Sequence, residues 1–291
     1  GYNFTTGGNW VCIGYEAAYT HTTQGTGVAV GYRSQKYATG SDNCSLGGHT
    51  MEASSCTGGY NTAIGQQSLA VLTTGAHNTA LCSQSLDANT TGSYNTAIGR
   101  QALSANTTAN NNTAVGYQSL AVSTTAYSNV AVGAYALDAA TTGGENVAIG
   151  YGAMTDSTTG GACTAVGHQA AANLTTAGYA VAIGHNAMGN AAVTGDNNCA
   201  VGRNSLYGCT TGNHNTAVGG SATLYGLSTG TYNTAMGVDA MEDATTAATN
   251  TCIGSNAGAN LTCKAALLIN RLHVHCEECG VPYSCHQFVL S

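Results

Sequence analysis

Charged residues are scarce in this chain of 291 residues, where Asp, Glu, Lys and Arg together make up 7%. An average soluble domain has roughly 25%. Disordered chains are usually rich in charge and proline, so this scarcity and the single proline, Pro282, argue against disorder. Because proline and a three-residue glycine period are both lacking, a collagen-like triple helix is also excluded.

Basic residues are the scarcer charged type, since six Lys and Arg stand against thirteen Asp and Glu and give a net charge of -7. Proteins that bind nucleic acid neutralise phosphates with a basic surface, so we expect no nucleic-acid partner. No apolar run approaches the roughly 20 residues that cross a bilayer, so we expect no membrane span. Apolar residues at helical spacing are always interrupted by glycine, which argues against long helices.

A repeat dominates the sequence. Among the 40 glycines, one position recurs fifteen times at steps of 17 residues, with a few steps of 16 or 18, and only Cys82 replaces the glycine there. Such a period is typical of a solenoid, whose repeats bury their apolar faces by stacking on one another. The fifteen positions are 14, 31, 47, 65, 82, 99, 116, 133, 150, 167, 184, 202, 219, 237 and 254.

Each repeat reads Asn, Thr or Val, Ala, Ile or Val, Gly, two variable residues, Ala or Ser, Leu or Met, and later Thr-Thr-Gly. The alternating β-branched residues predict a short strand with both on one face and Ala on the other. The glycine predicts a corner with positive φ, and the later Leu or Met predicts the inward residue of a second short strand. The ladder and corner residues that define this pattern include Gly65, Gly99, Gly116, Gly133, Gly150, Asn61, Asn95, Asn112, Ile64, Ile98 and Val115.

These columns predict an all-β protein, a parallel β-solenoid or β-roll of about fifteen coils of 17 residues. The predicted shaft covers residues 10–263. Residues 1–9 and 264–291 fall outside the repeat and form the predicted N-terminal junction and the C-terminal junction or cap. Because an open solenoid end is an unpaired sheet edge, we expect either caps or end-to-end joining of copies.

The repeat resembles those of phage and bacterial tail-fibre-type proteins, as in residues 92–103 followed by Thr107-Thr108. It is also similar to the head repeats of trimeric autotransporter adhesins, whose Val-Ala-Ile-Gly core matches residues 147–150 and 181–184. The resemblance covers residues 10–262, although adhesin heads use a shorter unit. It implies an extracellular, cell-surface or virion-borne fibre, a homotrimer in which three β-rolls pack their apolar faces around one axis.

The twelve cysteines fall in different columns of the repeat, so they do not stack on one another. Cys12 and Cys252 replace the Ala, Cys44 replaces the Thr or Val, and Cys163 replaces the Asn. A regular set of disulfides between coils is therefore not expected, and the favoured interpretation is small packed thiols.

The C-terminal segment contains a possible metal motif. Cys276 and Cys279 have the two-residue gap with which two thiolates reach one zinc, and Cys285 or His286 would complete a tetrahedron. A disulfide or a plain surface segment is the alternative interpretation, because a second Cys-x-x-Cys pair is lacking.

His273 and His275 support a second kind of metal site, since both point the same way on a strand. Three chains would then present six imidazoles to one metal, Zn or Fe, on a common axis, as at the tips of some phage fibres that the repeat resembles. No other cofactor is expected.

Acceptor sequences for N-glycosylation, Asn-x-Ser or Asn-x-Thr, occur seven times. They matter only in a secreted setting with the necessary transferase, and the abundance of Asn and Thr in the repeat also explains them. The seven are Asn3, Asn43, Asn89, Asn106, Asn111, Asn173 and Asn260.

The sequence favours a non-enzymatic fibre or filament shaft of a viral or bacterial surface appendage that supports adhesion. No acid, base and nucleophile converge in one column, so we do not expect an enzyme. The expected partners are further copies of the chain and a cell-surface glycan or receptor. The alternative hypothesis is a single-chain solenoid that binds ice or glycans through its Thr or Tyr ladders, but adjacent Thr-Thr pairs point to opposite faces of a strand.

Overall fold

The computed structural model describes residues 8–21, 25–190 and 192–261 in full, and the backbone of residues 265–269 and 272–276. No helix occurs among these residues. The chain divides into two compact units, Gly1–Asn146 and Val147–Ser291. The first unit contains β1 (Asn9–Ile13), β2 (Thr26–Val30), β3 (Asn43–Leu46), β4 (Thr62–Ile64), β5 (Thr79–Leu81), β6 (Thr96–Ile98), β7 (Thr113–Val115) and β8 (Val130–Val132).

The second unit repeats this arrangement. Strands β9 to β15 are three residues long and pair in parallel, and β15 pairs in parallel with β16. The last strand, β17, runs antiparallel to β16. The strands are β9 (Val147–Ile149), β10 (Thr164–Val166), β11 (Val181–Ile183), β12 (Cys199–Val201), β13 (Thr216–Val218), β14 (Thr234–Met236), β15 (Thr251–Ile253), β16 (Ala265–Ile269) and β17 (Leu272–Cys276).

Within each unit, strands of successive repeats pair in parallel, from β1 to β8 and from β9 to β16, which confirms the predicted parallel solenoid. Thr79 lies between Thr62 and Thr96 in the register of the first unit. Its amide donates to the carbonyl of Asn95 at 2.8 Å, while the amide of Gly99 donates back to Leu81 at 2.9 Å. Identical residues of successive repeats therefore stack in columns.

The interior of each coil holds the Ala of the strand and the Leu or Met that follows the glycine. Ala97 and Leu103 are fully buried, as are their equivalents in other coils. The predicted inward direction of the Leu or Met column is thus confirmed, and the structure shows that the Ala column points inward as well. The small Ala side chain therefore faces the turns of its own coil across the interior.

The prediction of a second short strand at the Leu or Met is wrong. Gln101 and Leu103 have φ angles of 59° and 51°, whereas a strand requires negative φ. These residues form turns, in which alternation between right- and left-handed conformations directs Leu103 inward within a short path. The backbone still pairs between coils, since the Leu103 amide donates to Ser119 at 3.0 Å.

A buried asparagine ladder replaces ordinary strand pairing at the start of β3 and just before β4 to β9 and β12 to β15. The Asn95 side-chain oxygen accepts from the backbone amide of Asn112 at 3.0 Å, and its Nδ2 donates to the Ala109 carbonyl at 2.8 Å. One side chain thereby satisfies backbone groups that would otherwise be buried without partners. In the first unit the ladder comprises Asn43, Asn61, Asn78, Asn95, Asn112, Asn129 and Asn146, and in the second unit Asn198, Asn215, Asn233 and Asn250.

Cys163 takes the place of asparagine at the start of the second unit. Its Sγ accepts from the Ala180 amide at 3.4 Å and donates to the Ala177 carbonyl at 3.4 Å. The thiol reproduces the two roles of the amide with weaker donor and acceptor atoms.

The corner glycines adopt φ angles that confirm their predicted role. Gly99 has φ of 138°, and a Cβ built on it would lie 2.3 Å from the Gly116 carbonyl oxygen. Both the conformation and the approach of the next coil therefore demand glycine. Two corners depart from this rule: Gly219 lacks the positive φ of the other corner glycines, and Cys82 occupies its corner with φ of 99° and an exposed side chain.

Replacing Asn95 with Ala should lower the free energy of unfolding by about 3 kcal/mol, because two buried backbone groups lose their partners. The matched control is Asn110→Ala, whose side chain accepts from the Ser93 amide at an exposed position and should cost less than about 1 kcal/mol. Urea unfolding followed by circular dichroism measures both values. Equal losses would show that the ladder contributes nothing particular.

Replacing Gly99 with Ala should destabilise the fold by at least about 3 kcal/mol, since strain at the glycine-only φ adds to the clash with the next coil. Gly220 provides the control, because nothing lies within 4 Å of a Cβ built there. Gly220→Ala should change stability by less than about 0.5 kcal/mol. Thermal unfolding of the two variants tests this, and a tolerated Gly99→Ala would contradict the assigned role of the corner.

Candidate functional site

The outward side of the strands forms an uncharged apolar surface, which we call the strand face. It consists of the side chains at the Thr or Val position and the Ile or Val position of each strand. Ile13 is 61% exposed, Leu46 49%, Ile149 40% and Ile253 40%. In the first unit the strand face comprises Val11, Ile13, Val28, Val30, Cys44, Leu46, Thr62, Ile64, Thr79, Leu81, Thr96, Ile98, Thr113, Val115, Val130 and Val132.

The second unit has its own strand face of the same composition. It comprises Val147, Ile149, Thr164, Val166, Val181, Ile183, Cys199, Val201, Thr216, Val218, Thr234, Met236, Thr251 and Ile253. None of these side chains is charged in either unit, and the described acidic residues lie in turns. Charge is thus excluded from one surface of each coil.

The Thr-Thr column has two different environments. The first hydroxyl of each pair donates to a carbonyl of the next coil, as Thr73 does to Thr90 at 2.9 Å and Thr90 does to Thr107 at 3.0 Å. The second threonine, for example Thr91 or Thr108, is exposed. The second threonines of the pairs therefore form one exposed column.

Aromatic side chains stack along the coils in short rows. Tyr60, His77 and Tyr94 have ring centroids 5.0 Å apart and nearly parallel planes. Rings in such a stack cover one another's faces and expose mainly their edges. A sugar that packs its C–H groups on an aromatic face therefore finds few free faces in these rows.

One cluster of charged residues, which the sequence did not single out, lies in the first coils. Glu16 forms ion pairs with Arg33 at 2.9 Å and with Lys36 at 2.7 Å, and Arg33 also reaches Glu52 at 3.5 Å. The hydrogen bond from Lys36 lowers the pKa of Glu16. The 17-residue spacing of Glu16 and Arg33 is the signal that predicts their contact once the coil length is known.

No group of three or more His, Cys, Asp or Glu within the described residues is arranged to hold a metal ion. The predicted metal site lies almost entirely outside them. His273, His275 and Cys276 belong to β17, for which only the backbone is described, and Cys279, Cys285 and His286 fall in none of the described ranges.

The predicted glycosylation acceptors differ in accessibility. Asn43, Asn89 and Asn106 are buried, and Asn106 donates to the Asn89 side chain at 2.9 Å. A folded coil therefore withholds these three from a transferase. Asn173 is half-buried and bonded to the Gly189 carbonyl, Asn111 and Asn260 are exposed, and Asn3 lies outside the described residues.

The cysteines are consistent with the predicted packed thiols. Cys12, Cys44, Cys56, Cys82, Cys199, Cys209 and Cys252 are free. Burial raises the pKa of Cys56, Cys209 and Cys252 to about 11. Because the thiolate is the reactive form, these three thiols are protected from alkylation and oxidation both by their burial and by their protonation.

No family model, no curated protein and no solved structure matches this chain. Within the described residues, no helix is long and apolar enough to span a bilayer. The resemblance to fibre and adhesin repeats therefore remains a prediction from the residues that carry it.

Iodoacetamide at about pH 8 should alkylate the exposed Cys82 in the folded protein and leave Cys56, Cys209 and Cys252 unmodified. Only about one in a thousand molecules of a thiol with a pKa near 11 is ionised at that pH. Peptide mass spectrometry before and after unfolding in urea gives the extent at each site. Similar native rates at Cys82 and Cys209 would contradict the assigned environments.

Proposed function

We propose that this chain is a non-enzymatic shaft of a fibre or filament on a virus or bacterial surface, and that three copies associate through their strand faces to support adhesion. The observation that carries the proposal is the uncharged, apolar strand face in each unit. Soluble monomers rarely expose contiguous apolar patches beyond a few hundred Å². A surface of this kind is typical of one that another protein covers.

The chemistry of the strand face favours further copies of the same chain as the occupants. Its columns repeat at the coil spacing, so a parallel copy offers side chains at the same intervals. In such an assembly every residue near the axis meets its own equivalents, and a charged column would bring like charges together. The described charged residues lie only in turns, so no charged side chain of the strand face would meet its equivalents at such an axis. The number three comes from the resemblance to trimeric fibre proteins.

The internal bonding suits a mechanical role. Within each unit, neighbouring coils are joined by backbone hydrogen bonds, and most are also joined by the asparagine ladder and by threonine hydroxyls such as that of Thr73. Stretching or bending a coil breaks several of these bonds together. We further propose that the shaft is extracellular, and that its terminal strands join to neighbouring copies or to another part of the appendage.

The alternative, a single-chain solenoid that binds ice or glycans, has less support. About half of the Thr-Thr hydroxyls donate hydrogen bonds to the next coil. The exposed hydroxyls therefore form one column rather than the flat two-column surface that an ice-binding ladder would present. Stacking hides the faces of Tyr60, His77 and Tyr94 from a sugar. The alternative remains the hypothesis to pursue if the protein is a stable monomer.

Light scattering and native mass spectrometry should give a mass about three times the chain mass of 29.0 kDa. Ile98→Glu should convert the trimer to monomers, because uncompensated buried charges cost several kcal/mol each. Thr108→Glu places the same charge on an exposed turn and should leave the trimer intact. A wild-type monomer, or an unaffected Ile98→Glu trimer, would overturn the proposal.

Alkylation of Cys199 keeps the proposal testable if Ile98→Glu does not fold. Cys199 lies on the strand face of the second unit and is partly accessible in the single chain. Because burial within the chain already raises the pKa of Cys199, its rate relative to Cys82 is compared at two protein concentrations, one at which light scattering gives a monomer and one at which it gives a trimer. The relative rate should fall at least about tenfold in the trimer, because partner copies would cover Cys199. Equal rates would place the strand face in solvent and contradict the proposed association.

A further inference from the structure

We propose that the interior of the first unit binds one water molecule between the coil of Asn106 and the coil of Ser123. Its hydrogen-bond partners are the Asn106 side-chain oxygen, the Ser123 hydroxyl and the Ala126 carbonyl, and we call these three groups the water site. All three residues are fully buried. Because the water site lies inside the coils and not on the strand face, the proposal does not depend on trimer formation.

The water site belongs to a column of buried side chains, which we call the interior column. Leu72, Asn89, Asn106 and Ser123 occupy this column in four successive coils at steps of 17 residues, and all four are fully buried. Leucine fills its place with carbon atoms, whereas asparagine and serine bring polar atoms into the interior. Buried polar atoms of native proteins are almost always hydrogen-bonded to protein or to ordered water.

The two asparagines of the interior column show how such atoms are paired. Asn106 Nδ2 donates to Asn89 Oδ1 at 2.9 Å and to the Ala109 carbonyl at 3.2 Å. One coil earlier, Asn89 Nδ2 donates to the Gly92 carbonyl at 2.9 Å. Both partners of Asn106 Nδ2 are acceptors, so the hydrogen bonds fix which end of this amide carries the oxygen. Asn106 Oδ1 therefore faces the coil of Ser123, as Asn89 Oδ1 faces the coil of Asn106.

Serine interrupts this pattern at position 123. An asparagine there would donate from its Nδ2 to Asn106 Oδ1 and to the Ala126 carbonyl, as Asn106 donates to their equivalents one coil earlier. Ser123 is shorter by an amide group. Asn106 Oδ1 and Ser123 Oγ are both buried, and neither has a hydrogen-bond partner within the part of the chain that the structure describes. Two polar atoms of adjacent coils thus face a place that an amide nitrogen fills one coil earlier.

The Ala126 carbonyl is the third group that faces this place. A carbonyl oxygen has two lone pairs and can accept two hydrogen bonds. The equivalent Ala109 carbonyl uses both, since it accepts from Asn95 at 2.8 Å and from Asn106 at 3.2 Å. Ala126 accepts from Asn112 at 2.8 Å in the same way as Ala109 accepts from Asn95. A donor that replaces the amide nitrogen on Asn106 Oδ1 therefore also reaches the second lone pair of Ala126.

Water matches the chemistry of these three groups. The ligand donates to two acceptors, Asn106 Oδ1 and the Ala126 carbonyl, and accepts from the Ser123 hydroxyl, and a water molecule does both. Buried water typically makes about three hydrogen bonds. A cation would exchange its hydration shell for only three neutral oxygens, and burying a charge without a charged partner is costly. The site therefore favours a small neutral ligand.

Ser123→Asn and Ser123→Leu test the water site as a matched pair, because asparagine and leucine have similar shapes and the interior column holds both types. Oxygen-17 magnetic relaxation dispersion counts long-lived internal water molecules per chain. Relative to the wild type, each variant should lose one, since the larger side chain takes the place of the water. Thr108→Ser changes an exposed turn residue and should leave the count unchanged. A count in Ser123→Asn equal to that of the wild type would overturn the proposal.

Urea unfolding distinguishes the two variants. In Ser123→Asn the amide donates to both acceptors of the water site, so the unfolding equilibrium constant should not exceed that of the wild type. Ser123→Leu leaves Asn106 Oδ1 buried without a donor and should raise this constant at least about tenfold. Equal constants for the two variants would contradict the assigned role of Asn106 Oδ1.

High-resolution diffraction from crystals of the wild type tests the site without any substitution, which keeps the proposal testable if Ser123→Leu does not fold. One water should lie about 3 Å from Asn106 Oδ1, Ser123 Oγ and the Ala126 carbonyl oxygen. Direct contact between Asn106 and Ser123 would overturn the proposal. Wild-type stability that differs between sodium, potassium and tetramethylammonium chloride at equal ionic strength, in contrast to that of Ser123→Asn, would replace water with a monovalent cation.

Discussion

Hydrogen bonds between successive coils are the interaction on which the rest of this structure depends. A strand of three residues such as β6 makes too few contacts to be stable alone, and the turns that follow it contain left-handed residues that no isolated peptide would favour. Both persist because each coil finds its partners one repeat away. The asparagine ladder extends the same bonding through the bend before most strands, where the Asn95 side chain satisfies both an amide and a carbonyl of the following coil.

Stacking also restricts which residues can occupy a column. A side chain in one coil lies beside its equivalents in the next coils, so a charged column would accumulate like charges at about the strand spacing of 4.8 Å. This restriction explains why so few residues are charged and why Thr, Asn, Ser and Ala fill the columns. The cluster of Glu16, Arg33 and Lys36 follows the same logic, because its neighbours in adjacent coils have opposite charges.

The coil divides its surface by chemistry. The strand face is apolar and suits association, whereas the turns hold the charged residues and the stacked rings. A protein whose backbone bonding is independent of its outward side chains can vary those side chains coil by coil. The turns can therefore differ from coil to coil without disturbing the repeat.

The sequence by itself determined the coil length, the parallel register and the inward direction of Leu, because a period of 17 residues admits one stacking of identical columns. It also marked Gly99 as a corner, since one residue type recurs there. Which face of the strand points inward, that of Ala or that of the β-branched residues, was decided only by the tertiary structure. The conformation of the turns was decided only by the tertiary structure: Leu103 looked like a strand residue, and its left-handed φ is stabilised by bonds to the next coil rather than by local preference. Burial of Asn89 and Asn106, the exposure of the strand face and the stacking of His168 on His185 likewise depend on contacts between residues in different coils. Their side-chain environments arise only when the coils stack.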